Sequence, residues 1–322
     1  MSAGTGQSPF EPFLQAQGFV LLDGGLATAL EARGHDLRDS LWSARVLLEA
    51  PESVRAVQTA YLEAGADCIA TVTYQATFQG FHARGLSEGE AVEAFEVAVQ
   101  LAVEARDGFW REPGARAGRI RPLVAASVGP YGAFLADGSE YRGDYGLSVD
   151  ELADFHRRRW TLLAASRADL LACETIPSAL EARALLALLD ETPDRWAWLS
   201  FQCRDERHLA DGTPLGDMAE LCAGHPRVAG VGVNCVPPGS IPGLLEAMRG
   251  RIGSGHTPLI VYPNSGELYN STTKSWEGGP GPVDLGDRAP AWLRQGATVV
   301  GGCCRTSPDT IGAMRGALVS RA

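Results

Sequence analysis

The stretch that decides the reading is Ala297–Pro308, ATVVGGCCRTSP. Ala297 to Val300 is a short run of strand-forming type that ends in Gly301-Gly302. Two adjacent cysteines, Cys303 and Cys304, follow, and Thr306-Ser307-Pro308 then sets a hydroxyl cap and a proline where a helix begins. A thiol pair just past the end of a buried strand stands where an α/β fold keeps its chemistry. The glycines let the backbone turn tightly there, so that both sulfurs can face one point.

Neighbouring thiols have three uses: a pair of small hydrophobes, a reversible vicinal disulfide, or two thiolate ligands of a soft metal. A metal needs a third ligand, and Cys235 is a candidate at the end of VAGVGVNC, another strand-like run. It lies too far along the chain for the local spacing of a structural zinc finger, so a fold must bring it to Cys303 and Cys304. Three thiolates with a fourth position open suit Zn²⁺ and an incoming substrate thiol.

Working outward, seven more strand-like runs precede this one. They are Phe19–Leu22, Cys68–Val72, Leu123–Ala126, Leu170–Cys173, Ala197–Phe201, Val228–Val233 and Leu259–Tyr262, with helical patterns between them. Eight strand–helix alternations without a linker predict an α/β fold, a (β/α)₈ TIM barrel of one domain over 18–322. Residues 1–17 read as a mobile lead-in. Tyr131 to Gly146 reads as an ordered loop over one end of the fold, and Glu267 to Gly281 as a glycine-rich loop. A doubly wound open sheet would carry G-x-G-x-x-G after its first strand, and Asp23-Gly24-Gly25-Leu26 does not fit.

The residues at the strand ends are Asp23, Thr73, Ser127, Glu174, Gln202, Cys235, Asn264 and Cys303, all polar or metal-capable. In a barrel these converge on one mouth, although turns and helix caps also favour polar residues. Glu174 is a candidate for a binding role, because Glu seldom ends a buried strand unless paired; a salt bridge to a helix Arg or a place in the turn is the other reading. Asn234 either orients Cys235 or the substrate, or satisfies its own backbone. Cys68, Cys173, Cys203 and Cys222 read as core fillers, and the six histidines show no metal-like spacing.

Composition narrows the class. A chain of 322 residues with 45% hydrophobic content is long enough for one large core. No run approaches the ~20 apolar residues of a membrane span, and the N-terminus lacks the pattern of a signal peptide. The expected setting is cytoplasmic, and seven cysteines there argue against a disulfide framework. A net charge of −11 argues against nucleic acid and anionic membranes as partners. Nothing in the sequence fixes an oligomeric state.

The segments LLDGGLATALEARGHDL, TYQATFQGF, ASVGPYGAFLADGSEYRGDY, ACETIPS, GVNC, VYPNSGE and GGCCRTSP together resemble the homocysteine S-methyltransferase family, over about Gly18 to Ala317. The branch they look most like uses S-methylmethionine or S-adenosylmethionine as donor. The resemblance implies that Cys235, Cys303 and Cys304 hold zinc, that homocysteine binds as a fourth, thiolate ligand, and that its sulfur attacks the methyl of a sulfonium to give methionine. It implies that Asp23 and the amides of Gly24-Gly25 belong to an amino-acid-binding turn; capping the following helix is the other reading of Asp23. Tyr74, Tyr131, Trp42 and Trp276 are candidates to face the sulfonium by cation–π contact, with packing as the alternative for each. The implied partners are small-molecule substrates. Two other classes stay open: a thiol-redox protein using a Cys303–Cys304 disulfide, and a non-catalytic zinc-binding barrel.

Overall fold

The computed structural model describes residues 6–37, 43–253, 257–270, 275–278 and 284–320. The eight expected strands form one parallel sheet: β1 (Val20–Leu21), β2 (Cys68–Ala70), β3 (Leu123–Val128), β4 (Leu170–Ile176), β5 (Ala197–Phe201), β6 (Val228–Asn234), β7 (Leu259–Tyr262) and β8 (Ala297–Val300). The spatial order is β1-β8-β7-β6-β5-β4-β3-β2. A parallel bridge between Leu22 and Cys68 joins the two ends, with Asp23 N donating to Cys68 O at 3.0 Å and Asp67 N to Leu21 O at 2.6 Å. The sheet is thereby a closed TIM barrel with helices outside it.

Alternation along each strand makes two cores. One face of the strands packs against the helices. The other fills the barrel interior, where Val20, Leu170, Trp198, Ile260 and Val299 are buried. Helix starts follow the local chemistry. Ser87, Ser148 and Ser307 each cap a helix and donate their own amide in return to the side chain three positions on, and Pro308 occupies the first turn as its position predicts.

Two stretches depart from the expected outline. Residues 11–17, read as part of a mobile lead-in, form the helix Glu11–Gln17. Phe10 and Phe13 are fully buried, and Phe10 packs against Trp198 with ring centroids 5.9 Å apart, so this segment plugs the barrel interior. The glycine-rich loop after β7 contains an antiparallel hairpin, Leu268–Asn270 with Ser275–Glu277. The loop after β3 is ordered as expected, through a short helix Tyr131–Leu135 and a 3₁₀ turn Ser139–Tyr141. Among the described residues, no helix is long and apolar enough to cross a membrane.

Candidate active site

At the C-terminal mouth of the barrel the fold brings together Cys235, past β6, and Cys303-Cys304, past β8. Their three sulfurs lie within 4.8 Å of one another, and the Cys235 and Cys304 sulfurs are 3.6 Å apart. A tetrahedral ion with metal–sulfur bonds of about 2.3 Å holds its sulfurs about 3.8 Å apart, so the spacing fits a thiolate-bound metal. Without a cation these thiols cannot all ionise. The two neighbouring thiols donate toward Cys235 and hold it well below its ordinary value, and the resulting charge pushes Cys303 and Cys304 up. A divalent ion reverses that penalty.

The backbone is strained where it aims these groups. Cys235 (φ 54°), Arg305 (φ 64°) and Thr175 (φ 62°) occupy the left-handed region, which costs a non-glycine residue about 1–2 kcal/mol. Cys235 is held there from three sides. Its amide donates to Tyr262 O at 3.2 Å, Asn264 Nδ2 donates to its carbonyl at 3.3 Å, and the Gln202 amide nitrogen, turned toward the strand end, reaches the same oxygen at 3.3 Å. In β4 the pairing slips between Cys173 and Ile176, and the irregularity falls on Glu174.

Asn234, fully buried at the end of β6, connects the parts. Its Nδ2 donates to Thr175 Oγ1 at 2.8 Å and lies 3.7 Å from Cys303 Sγ; its Oδ1 accepts from Thr175 N at 2.7 Å and Ser200 Oγ at 2.9 Å. Glu174 opens onto the cavity, accepting from Ser127 Oγ and from Tyr262 OH at 3.2 Å. Burial, with the Cys303 thiol adding to it, pushes its carboxyl up to about 7. Asp23 accepts from Ala70 N at 2.8 Å, and burial raises it to about 8 against that bond, with Glu174 and Cys303 adding to the rise.

Glycine at the first turn is a matter of space. A Cβ on Gly25 would lie 2.7 Å from Cys303 O, and one on Gly24 2.8 Å from Thr306 Oγ1. Gly25 N donates to Thr306 Oγ1 at 3.1 Å, which in turn donates to Cys303 O at 2.6 Å. The Asp23-Gly24-Gly25 turn and the Cys-Cys turn are therefore one packed unit.

The cavity above the sulfurs is lined by Asp23, Gly24, Gly25, Tyr74, Glu174, Asn234 and the three cysteines, so the fold brings these candidates together. Tyr131 is placed elsewhere, packed edge-on against Tyr145 and Phe155. Trp42 lies outside the described residues, as does the side chain of Trp276. Of the eight strand-end residues, Thr73, Gln202 and Asn264 do not line the cavity; they brace backbone, Thr73 through Ser127 O at 2.7 Å. The reading missed Tyr141, whose hydroxyl is 4.0 Å from Cys235 Sγ, as well as Glu140 and Tyr262 on the cavity wall. Their only signal was membership of the Tyr-rich loop and of β7.

The sequence profile of the homocysteine S-methyltransferase family matches residues 20–318. Homocysteine S-methyltransferase YbgG of Bacillus subtilis is 49% identical over 304 residues, covering 94% of this chain and 96% of that protein. The homocysteine S-methyltransferase of Escherichia coli is 48% identical over 309 residues, covering 96% and 98%. The crystal structure of the E. coli homocysteine methyltransferase MmuM in its metallated form superposes with a TM-score of 0.85 at 45% identity, covering 98% of this chain and all of that one. With these likenesses and a three-sulfur centre at the barrel mouth, the chain belongs to the homocysteine S-methyltransferase family.

Proposed function

We propose that this protein transfers a methyl group from an amino-acid sulfonium, S-methylmethionine or S-adenosylmethionine, to the sulfur of L-homocysteine, forming methionine. The observation that carries this is the cluster Cys235, Cys303 and Cys304 facing a cavity lined by carboxylates that include Asp23 and Glu174. Zinc is the ion that three thiolates suit, and when bound by them it supplies the positive charge that keeps a substrate thiol ionised near neutral pH.

The chain's own groups do the rest. Glu174, fixed by Ser127 and Tyr262, takes the acceptor's α-ammonium, with Asp23 beside it. Asn234 orients the Cys303 sulfur through its amide nitrogen and is itself held by Thr175 and Ser200. Tyr74 and Tyr141 form the wall on the Cys235 side, where aromatic faces suit a sulfonium. In the transfer, a lone pair of the acceptor sulfur forms the new S–CH₃ bond. The donor's CH₃–S⁺ bond breaks with its electron pair staying on the donor sulfur, which leaves as a neutral thioether. Opposite charges vanish as the bond forms, so a site that excludes water favours the step.

A vicinal disulfide between Cys303 and Cys304 needs only those two residues. It leaves unexplained why the fold holds Cys235 in a strained conformation with its sulfur 3.6 Å from Cys304. The test is methionine formation from homocysteine by the zinc-loaded protein with each sulfonium in turn. Turnover with at least one donor is expected; zinc bound stoichiometrically with no turnover on either overturns the proposal in favour of a zinc-holding barrel.

A further inference from the structure

We propose that Glu140 receives the α-ammonium of the methyl donor, so that the enzyme selects sulfonium compounds that are amino acids. The inference rests on the methyl-transfer reading above and adds a residue to it. Two amino acids must occupy one cavity, and each brings an ammonium group. The described lining residues include the carboxylates Asp23, Glu31, Glu140 and Glu174 and no Lys, Arg or His. They do not stand together. Asp23 stands against the Cys-Cys turn, its carbonyl accepting from Gly302 N at 3.0 Å, and Glu174 is held by Ser127 and Tyr262 at the ends of β3 and β7. Glu140 stands on the other wall, next in the chain to Tyr141, whose hydroxyl is 4.0 Å from Cys235 Sγ. Glu31 responds to Arg305, a half-exposed cation of the Cys-Cys turn.

Glu140 Oε2 is buried and has no hydrogen-bond partner. A buried carboxylate oxygen left unpaired is costly, and a charge-assisted bond from an ammonium removes that cost. The nearest cation in sequence, Arg142, is half-exposed and lies toward Asp137 at 3.8 Å and Asp144 at 3.6 Å. The position of Glu140 is fixed by packing. There is no room for a Cβ on Gly132 against the Glu140 amide, and the loop is tied down at both ends, by Tyr131 N to Glu181 Oε1 at 2.6 Å and Gly143 N to Ser139 O at 2.9 Å. A carboxylate held on the wall, with one oxygen unpaired and the aromatic faces beside it, matches a donor whose cationic sulfur and ammonium lie a few bonds apart.

The experiment compares wild type with Glu140→Gln, using S-methylmethionine and its analogue lacking the α-amine, (3-carboxypropyl)dimethylsulfonium. Calorimetric binding of each compound to the zinc-loaded protein is measured alongside methyl transfer to homocysteine. Wild type is expected to bind S-methylmethionine about tenfold or more tightly than the analogue, and Glu140→Gln to lose that preference while keeping its homocysteine KM within about twofold. Equal weakening of both sulfoniums, or a rise confined to the homocysteine KM, overturns the assignment. A wild type that binds S-methylmethionine with Glu140-dependent preference but makes no methionine refutes the transfer reading and leaves the recognition role standing.

Discussion

Asn234 shows how much one side chain does at this site. It spans from Thr175 and Ser200 to the Cys303 sulfur, so its loss frees two buried partners at once. Glu174 has a simpler proposed part, as an anion for the acceptor's amine. Replacing it with Gln keeps the shape and one of the two bonds accepted from Ser127 and Tyr262 but removes the charge. The expected result is a homocysteine KM raised about ten- to a hundredfold, with the KM for the sulfonium little changed, read from steady-state kinetics with each substrate varied. The placement of the cysteines, Asp23 and Glu174 at the mouth could be read from sequence because a barrel strand delivers its last residues there whatever the loops do. Tyr141 could not be read in this way. It and Tyr131 share a loop whose short helix and 3₁₀ turn decide which ring faces Cys235, and the spacing of the two tyrosines encodes neither.

At the scale of elements, the site depends on two turns locked together. The Gly25 amide, Thr306 hydroxyl and Cys303 carbonyl form a chain of bonds between the end of β1 and the Cys-Cys turn, and a methyl on Gly25 meets Cys303 O at 2.7 Å. Backbone cannot yield as a flexible side chain can, so Gly25→Ala is expected to displace Cys303. Zinc affinity, measured by chelator competition, should fall about tenfold or more, as for other supports of a metal ligand. Unchanged affinity would show that the turns move independently. The N-terminal helix is the other element with an unforeseen part. Its seven residues are too few to display a period, so Phe10 and Phe13 looked like a tail. The expectation is that Phe10→Ala, which empties a fully buried site against Trp198, costs about 3–5 kcal/mol in denaturant unfolding. A cost below about 1 kcal/mol would mean that the segment is not part of the folded core.

The molecule as a whole is a closed ring whose strand ends bring together side chains from places far apart in sequence. Its strand count and strand positions were legible because each buried parallel strand is an apolar run punctuated by glycine or a polar residue. The hairpin at Leu268–Asn270 and Ser275–Glu277 was hidden inside a glycine-rich stretch that reads as loop. Local composition also could not say that Thr73, Gln202 and Asn264 brace the backbone while their neighbours face the cavity, since that depends on the twist of the closed sheet. The account's central claim is that Cys235, Cys303 and Cys304 act as one zinc site on which methyl transfer depends. It is tested by measuring zinc content and methionine formation together, in wild type, in chelator-stripped wild type re-supplied with zinc, and in Cys304→Ala. The account predicts about one zinc per chain in active wild type, loss of both properties on stripping, their joint return with zinc, and neither in the variant. A zinc-free protein that makes methionine at the full wild-type rate would contradict it.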